Sequence, residues 1–560
     1  MMTENKQQNN NNKTYSILFI IILLQTLTLI YYMSIRTVAH CDEIWTYGLA
    51  NSYDSPFFWN QDIGFLSKNN DFYNKWQDGS KWFNYITVQP NQTFAFNKVY
   101  RNQSLDVTPP FYYYILHFIC SFFPNTFSLW FGQSINIISF IISLIFLFKL
   151  AQLLFNDKYS FAIILFFGFS MAALNNYIYI RMYSFLTMFV IILNYLIFKI
   201  IKDETINTKR IFLLFFIVFF GFLTQHYFAF YFFAISLGLF IYLTYNKKYS
   251  LVLKYTITAL LSFIAYFSYY PYVFNHINHT SKVILTSHGI FGLFPFKEIF
   301  SAISFIINYT IGIEQTKLIS NFRVITPFFN YLSYYINACI ILLVLFYLFY
   351  FFLKKGKINN LSILLFEFLT VLILTSCYSS LHMNLYFGRY FFSLMPIFCI
   401  LAFGFIEWFL RKIKINYKIK DYVLYFLILI FILSSHKNSA MEYCCTNTPS
   451  REEMAMLFKD SSIISVQSTV LEHTIHTKAQ EYRFAKRVFP VMEYEAEEID
   501  KAVDSITSND KNYIIVPEND YGLLIFNMLK KKGVKPRYLF TDNHPNYDQI
   551  VFEIYSNNSI

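Results

Sequence analysis

Two neighbouring carboxylates open the first long polar segment of the chain, in the run His40-Cys41-Asp42-Glu43-Ile44-Trp45. A carboxylate held close to a hydroxyl group can accept its proton, which is general-base chemistry. A short amphipathic helix pattern follows, so Asp42 could equally act as the acidic cap of an ordinary helix. The residue types alone leave both interpretations open.

Two arginines, Arg181 and Arg389, stand at the ends of apolar runs far along the chain. Their guanidinium groups match the geometry of phosphate oxygens, which makes them candidate anion ligands. Long cationic side chains at such positions also reach the membrane interface without any ligand. Lys282, in a second long polar segment, is a weaker candidate. His226, at another helix end, could contact a sugar or phosphate, although a hydrogen-bonded interfacial histidine is the commoner case.

The elements that position these residues are membrane helices. The chain is 56% hydrophobic and 14% charged, so its charges cannot cover a soluble body of 560 residues. The formal charge of +11 does not indicate nucleic-acid binding, because the basic residues lie in short loops between apolar runs. Four of the six tryptophans, including Trp45, lie between residues 36 and 108; they favour an interfacial aromatic belt or, alternatively, stacking on a sugar.

Hydropathy predicts an α-helical polytopic membrane protein with about eleven spanning helices. We expect residues 1–14 to form a disordered cytoplasmic tail and residues 15–434 to form the membrane domain. The apolar stretch Pro109–Phe123 is too short to span and suits a re-entrant or interfacial helix. The predicted spans are Tyr15–Met33, Phe127–Phe148, Phe161–Asn175, Met182–Ile200, Ile211–Leu223, Tyr227–Tyr245, Leu251–Tyr270, Phe329–Phe352, Leu361–Cys377, Tyr390–Phe409 and Tyr422–Leu433.

The distribution of Lys and Arg predicts the orientation of these spans. The lysine-rich short loops alternate consistently with cation-poor ones, which places the lysine-rich side and the N-terminus in the cytoplasm. The polar loops 36–126 and 275–327 then lie outside, as does the region 435–560. That region has soluble composition and predicts a small α/β domain. Its expected strands are Ile463–Val466, Tyr513–Val516, Tyr538–Phe540 and Ile550–Ile554, with helices over Val470–Arg487 and Tyr521–Lys532.

Other chemistry finds less support. The seven cysteines form no CxxC pair and no His/Cys spacing for zinc, so no zinc site is supported. There is no glycine-rich phosphate loop. Glu367 falls within a predicted span, where a bare charge is costly, and we expect a neighbouring helix to satisfy it or a proton to neutralise it.

Five short motifs follow one another along the chain. They are Asp42-Glu43, Thr108-Pro109-Pro110-Phe111-Tyr112-Tyr113, Arg181-Met182-Tyr183-Ser184, Thr224-Gln225-His226-Tyr227-Phe228 and Gly388-Arg389-Tyr390 with Pro396. In this order they resemble the motifs of the GT-C-fold glycosyltransferases, and the nearest group is the protein mannosyltransferase and aminoarabinose transferase type. The resemblance covers about Tyr15 to Phe409. This chain departs from it at Tyr179, where many bacterial members carry an acidic residue, so the role of that second carboxylate, including metal contact, is not carried over.

This resemblance implies transfer of a sugar from a polyprenyl-phosphate donor to an acceptor hydroxyl at the external face, with inversion. Matched to the family pair, Asp42 is the base. Adjacent side chains on a helix point about 100° apart, so Glu43 is expected to orient a partner or bind acceptor. The expected phosphate ligands are Arg181, Arg389 and Lys282. The expected substrate contacts are His40, Trp45, Tyr183 and His226.

Partners implied by the resemblance are the lipid-linked sugar donor, a glycan, lipid or protein acceptor, and membrane lipids. A divalent metal stays open as a cofactor. The alternative functions are a flippase or transporter, or a polymerase, of lipid-linked glycans. A bacterial cytoplasmic membrane is the expected location, and the sequons at Asn91 and Asn278 leave the endoplasmic reticulum open. We expect the C-terminal domain to be accessory, covering the site or recruiting acceptor.

Overall fold

The computed structural model describes residues 2–56, 58, 72–274, 299, 302–303, 305–307, 310, 360–383, 388–412, 417–435, 443–444, 449–467, 475, 478–492, 495–506, 511–544 and 547–555. The predicted span Phe329–Phe352, Lys282 and nearly all of the loop 275–327 therefore lie outside the described residues. Helices, strands and contacts are known for these ranges alone.

Helices dominate the chain as far as residue 435. They are α1 Met2–Ser34, α2 Cys41–Asn51, α3 Ser80–Ile86, α4 Phe96–Leu105, α5 Phe111–Ser121, α6 Leu129–Leu154, α7 Asp157–Gly168, α8 Met171–Ile178, α9 Tyr183–Asp203, α10 Thr208–Thr224, α11 Phe228–Tyr245, α12 Tyr249–Tyr269, α13 Asn360–Met383, α14 Met395–Lys412 and α15 Tyr417–Ser435. A 3₁₀ helix, Gly388–Leu394, leads directly into α14.

Within the described ranges, seven helices are long and apolar enough to cross a membrane, or eight if the bent pair α7 and α8 forms one broken span. The chain is therefore an integral multi-pass membrane protein. The count of about eleven spans stays a prediction. Helix α1 begins at Met2 and so includes polar residues predicted as a disordered tail; this stretch has no Gly or Pro to stop a helix.

The predicted span Phe161–Asn175 is broken in the structure. Helix α7 ends at Gly168, and the hydroxyl of Ser170 accepts a hydrogen bond from the backbone N–H of Ala173 at 3.1 Å. This N-cap starts α8 in a new direction, 55° from α7. Hydropathy does not reveal such a break, because both halves are apolar.

Helix α9 forms the centre of the bundle, since 89% of its most apolar segment is buried inside the protein. It packs against α6, α10, α11 and the 3₁₀ helix. The chain just before α9 and the start of the 3₁₀ helix thus meet at one end of the bundle. Arg181 and Arg389 are carried by these two segments.

The C-terminal region forms a mixed six-stranded sheet in the order β1-β3-β2-β4-β6-β5. Strand β2 pairs in parallel with β3 and β4, whereas the β1–β3, β4–β6 and β5–β6 pairs are antiparallel. The elements are β1 Gln77–Asp78, α16 Arg451–Leu457, β2 Ser462–Gln467, α17 Ala479–Tyr482, β3 Arg487–Met492, α18 Ala496–Asp504, β4 Asn512–Pro517, α19 Asp520–Lys531, β5 Lys535–His544 and β6 Tyr547–Tyr555.

All four predicted strands and the helix over Tyr521–Lys532 correspond to β2, β4, β5, β6 and α19. The predicted helix over Val470–Arg487 is wrong at its end, because β3 begins at Arg487 and the described helix there is only the short α17. A proline such as Pro490 is unfavourable within a strand, so the sequence did not predict β3. Pro490 is tolerated because β1 pairs only with Arg487 and Val488, so at position 490 no β1 residue pairs with β3.

Strand β1 comes from the first polar loop, so the sheet is not built from C-terminal residues alone. The backbone N–H of Gly79 donates to the carbonyl of Lys486 at 3.1 Å, and the indole N–H of Trp82 donates to the carbonyl of Ile475 at 3.0 Å. Trp82 is completely buried. The proposed boundary at residue 435 stays a prediction, but the first loop and the C-terminal region pack as neighbours.

Candidate active site

Helix α2 places the acidic pair at its first turn. His40 is the N-cap, and its ring nitrogen Nδ1 accepts a hydrogen bond from the backbone N–H of Asp42 at 3.2 Å. The Glu43 side chain accepts in return from the backbone N–H of His40 at 2.6 Å. This reciprocal capping box fixes the helix start and sends the two carboxylates in different directions.

The carboxylate of Asp42 meets two donors from distant parts of the chain. Its Oδ2 accepts a hydrogen bond from the hydroxyl of Tyr179 at 2.5 Å and one from Nη1 of Arg389, also at 2.5 Å. The same Arg389 nitrogen lies 3.1 Å from the Tyr179 hydroxyl. None of the described residues hydrogen-bonds to Oδ1, and the Asp42 side chain is 23% exposed. Oδ1 is therefore the oxygen with capacity for a further proton or hydroxyl.

Arg181 approaches the same turn from another side. Its Nη1 donates to the backbone carbonyl of Asp42 at 3.3 Å and to the hydroxyl of Thr46 at 3.2 Å. Its Nε finds no acceptor among the described residues. A buried guanidinium N–H without an acceptor, beside a second guanidinium, is a place where an anionic oxygen would bind favourably.

These charges determine the protonation of the site. Burial alone would raise the pKa of Asp42, but the guanidinium groups of Arg389 and Arg181 outweigh it and hold that pKa well below its usual range. Burial lowers the pKa of His40 to about 4, against the opposing effect of Asp42. At neutral pH the site therefore contains an ionised carboxylate, two guanidinium cations and a neutral imidazole.

Glu43 points away from this cluster and is completely buried. It forms an ion pair with the equally buried Arg36, and its Oε1 accepts from the backbone N–H of Ile180 at 2.7 Å. Arg36 also donates to the backbone carbonyls of Val38 and Ile178. Glu43 thus ties the segment before α2 to the segment before α9. This geometry is the one that an orienting role requires, and a catalytic role for Glu43 stays a prediction.

We expect Glu43→Gln to destabilise the folded protein strongly, because Glu43 supports the structure of the site. It would leave the Arg36 guanidinium buried without its counter-charge, which costs about 3–5 kcal/mol. The midpoint of thermal unfolding in detergent should fall by several degrees. The matched control is Glu498→Gln, which breaks the exposed Glu498–Lys501 pair and should leave the midpoint unchanged. A wild-type midpoint in the Glu43 variant would contradict the structural role.

The backbone of Tyr179 is anchored by a buried asparagine on α6. Asn136 donates from Nδ2 to the carbonyl of Tyr179 at 2.8 Å. Its Oδ1 accepts from the hydroxyls of Ser184 at 2.6 Å and Tyr112 at 3.2 Å. Tyr112 belongs to the Thr-Pro-Pro-Phe-Tyr-Tyr motif, so this motif supports the site by holding the chain that carries Tyr179.

The other residues predicted to bind substrate or phosphate differ in their distance from this cluster. Tyr183 is buried beside Tyr179, with ring centroids 6.0 Å apart. Trp45 is partly buried against the apolar core. His226 shares a hydrogen bond of 3.3 Å with the hydroxyl of Tyr266. Lys282 lies outside the described residues. The structure therefore brings together Asp42, Arg181, Arg389, His40 and Tyr183.

A metal ion has one candidate donor set among the described residues, namely His40 Nδ1, Cys41 Sγ and an Asp42 carboxylate oxygen, all within 4.8 Å of one another. The set fits a divalent cation poorly. The His40 nitrogen already accepts the capping hydrogen bond, and Asp42 Oδ2 is occupied by Arg389 and Tyr179. The positive charge at this carboxylate comes from arginine.

Sequence reasoning missed several residues that form the site. Tyr179 stood out only as a departure from the family pattern, and its contact with Asp42 gave no sequence signal. Arg36 directly follows an apolar span, where a cation normally indicates an interface and nothing more. Thr46 is one turn after Asp42 and donates to its backbone carbonyl at 2.8 Å, which helical spacing could have suggested.

No protein-family model and no curated protein matches the sequence. The structure is similar to that of ArnT from Cupriavidus metallidurans in the apo state, with 10% identity, 97% of this chain and 98% of that chain covered, and a TM-score of 0.50. The same ArnT bound to undecaprenyl phosphate gives a TM-score of 0.49 at 9% identity, over 96% of this chain and 98% of that chain.

The apo oligosaccharyltransferase from Archaeoglobus fulgidus gives a TM-score of 0.44 at 11% identity, covering 90% of this chain and 69% of that chain. Identities this low show the fold and not the activity. The similarity to apo ArnT confirms the predicted fold, a GT-C-type helical membrane domain followed by a small α/β region.

Proposed function

We propose that this protein is an inverting glycosyltransferase, which moves a sugar from a polyprenyl-phosphate donor to an acceptor hydroxyl at the external face of the membrane. One observation carries the proposal. An ionised carboxylate with one unoccupied oxygen stands beside two guanidinium groups, in a protein with the fold of ArnT. A transferase needs a proton acceptor and a phosphate ligand side by side, and this arrangement supplies both.

The acceptor oxygen forms a bond to the anomeric carbon of the sugar while the bond from that carbon to the phosphate oxygen breaks. The electron pair of the broken bond leaves with polyprenyl phosphate. The proton of the acceptor hydroxyl passes to Oδ1 of Asp42. Attack opposite the leaving group inverts the anomeric configuration.

The lowered pKa of Asp42 is compatible with a base role. The departing polyprenyl phosphate is a good leaving group. The acceptor hydroxyl therefore loses its proton only as its oxygen attacks, when that proton has become acidic and a weak base suffices. Arg181 and Arg389 are placed to bind the departing phosphate. Arg389 contacts Asp42 Oδ2. In our proposal the donor phosphate takes over part of this guanidinium, which makes the carboxylate more basic once donor is bound.

The direct test reconstitutes the purified protein into lipid vesicles with a polyprenyl-phosphate sugar and a panel of hydroxyl acceptors. Mass spectrometry should find the free polyprenyl phosphate and an acceptor heavier by one sugar, and NMR should find the inverted anomer. Movement of the intact donor across the vesicle membrane, without a change of its mass, would support the flippase alternative and contradict the proposal.

Tyr179→Phe should move the pH dependence of transfer. The hydroxyl donates to the charged form of Asp42, so its removal raises the pKa of that carboxyl, and a hydrogen bond of this kind is worth about 1.5–3 kcal/mol. Activity requires the ionised form. We therefore expect the acid limb of kcat to shift upward by about one pH unit or more.

The matched control for this variant is Tyr177→Phe, two residues earlier in α8. The Tyr177 hydroxyl is buried and has Ser143, not Asp42, as its hydrogen-bonding neighbour, so its loss should leave the pH profile of transfer unchanged. Equal pH profiles for the wild type and Tyr179→Phe would show that the phenol does not act on Asp42.

A further inference from the structure

The C-terminal region contacts the chain around the catalytic carboxylate directly. The backbone N–H of Ala39 donates to the side-chain carbonyl of Gln480 at 3.3 Å, and the backbone N–H of Arg451 donates to the carbonyl of Thr37 at 3.4 Å. Both contacts fall on residues 36–40, the segment that leads into the N-cap of α2. A third contact, made by Tyr443, reaches the site itself.

Tyr443 is almost completely buried, with 2% of its surface exposed. Its ring stacks on that of Tyr179, with centroids 4.0 Å apart and planes 19° apart. Its ring also meets the His40 ring edge to face at 5.5 Å. Its backbone N–H donates to the side-chain carbonyl of Asn175 at 3.2 Å, so it is tied to α8 as well.

Two other tyrosine rings lie beside that of Tyr179. Tyr443 stacks on it, and Tyr183, whose plane is 11° from that of Tyr179, has its ring centroid 6.0 Å away. Tyr179 follows the end of α8 and is not held inside a helix. Stacking on Tyr443 therefore restricts its side-chain rotation, because a flat ring packed in this way cannot turn without losing its contacts.

We propose that Tyr443 is a positioning residue for the reaction, whose ring keeps the Tyr179 hydroxyl directed at Asp42. This inference rests on the proposed function. It gives the C-terminal region, which follows residue 434, a part in the catalytic step, beyond the accessory role expected from sequence. Tyr443 would act only through Tyr179, and this makes the inference testable by variants of the two residues together.

The experiment compares Tyr443→Leu, which removes the ring, with Tyr443→Phe, which retains it. We expect Tyr443→Leu and Tyr179→Phe each to lower kcat about tenfold at an unchanged KM for the donor, because misplacement of a catalytic group is costly. The acid limb of Tyr443→Leu should shift upward like that of Tyr179→Phe. Tyr443→Phe should restore both parameters. The charged or titratable groups that act on Asp42, and so on the pH profile, are His40, Tyr113, Tyr179, Arg181, Tyr183 and Arg389.

A double-mutant cycle decides whether Tyr443 acts through Tyr179. In the Tyr179→Phe background, Tyr443→Leu should cause no further loss of kcat, because the hydroxyl to be positioned is already absent. A loss of equal size in both backgrounds would overturn the inference. So would a wild-type pH profile in Tyr443→Leu. The control Tyr482→Leu removes another buried ring of the same region and should keep the wild-type pH profile.

Hydrogen exchange separates this inference from the proposed function. Peptides covering residues 175–182 should exchange faster in Tyr443→Leu than in Tyr443→Phe, whether or not the protein transfers sugar. If Tyr443→Leu fails to fold, Tyr443→Met fills a similar volume and serves the same comparison. Unchanged exchange in both ring-deficient variants would overturn the positioning role. Altered exchange with no transfer by the wild type would instead count against the enzymatic proposal alone.

Discussion

Replacement of Asp42 by Asn is expected to lower kcat for sugar transfer by about 10²–10⁴-fold, the range that a positioned general base contributes. Asn has nearly the same shape and can still accept hydrogen bonds from Tyr179 and Arg389, but it cannot accept the proton of the acceptor hydroxyl. The protein should therefore fold and insert normally. The measurement is the rate of product formation in vesicles at saturating donor.

The same variant should bind the donor at least as well as the wild type does. Asp42 competes with the donor phosphate for Arg389, so removal of its charge leaves that guanidinium more available. Reduced kcat with unchanged or tighter binding of polyprenyl phosphate would distinguish a lost base from a lost binding site. Transfer at the wild-type rate would refute Asp42 as the base.

Asp78→Asn is the matched control for the loss of one carboxylate from the first polar loop. Asp78 lies in β1 and caps the backbone N–H of Ser80 at 2.8 Å, a contact that the amide oxygen of Asn can also make. Transfer by this variant should equal that of the wild type. A large loss in both variants would indicate a general charge effect of the loop and not a specific base.

The side chains of Asp42 and Glu43 point in different directions, which follows from helix geometry and was predictable from sequence. Consecutive side chains on a helix diverge by about 100°, so only one of the pair could face the arginines. The structure turns Asp42 toward Arg389 and Glu43 toward Arg36. The choice between the two could not be derived from spacing and came from the resemblance to the family pair.

The meeting of Arg389 with Asp42 joins residues 347 positions apart. Hydropathy predicted that both residues lie near external ends of spans, that is, at a similar depth in the membrane, but it did not predict which spans are neighbours in the bundle. The packing of the 3₁₀ helix on α9 makes them neighbours. Such packing depends on the fit of many side chains at once, so no local pattern encodes it.

The contribution of Tyr443 was not predictable for a related reason. It lies between an apolar helix and a soluble region, where the composition changes and no periodic pattern assigns a role. Strand β1 was missed similarly, since a two-residue edge strand carries no alternating pattern. Both features connect segments that are distant in the sequence. They follow from the way in which the first loop and the C-terminal region pack against each other.

Substitution of either arginine should impair binding of the phosphate as well as its departure. We expect Arg389→Gln and Arg181→Gln each to lower kcat/KM by roughly 10–100-fold, because a charge-assisted hydrogen bond contributes about 1.5–3 kcal/mol. The inhibition constant of free polyprenyl phosphate should rise in parallel, since this product keeps the phosphate but lacks the sugar. Together the two substitutions should abolish measurable transfer.

Lysine variants separate charge from geometry. Arg389→Lys retains a positive charge but not the planar fork, so it should recover only part of the lost affinity if the phosphate is held by paired hydrogen bonds. The control is Arg101→Gln, an exposed cation of the first polar loop, which should leave kcat/KM unchanged. If neither Arg181→Gln nor Arg389→Gln weakened inhibition by polyprenyl phosphate, the two guanidinium groups would only neutralise Asp42, and the phosphate would have to bind elsewhere.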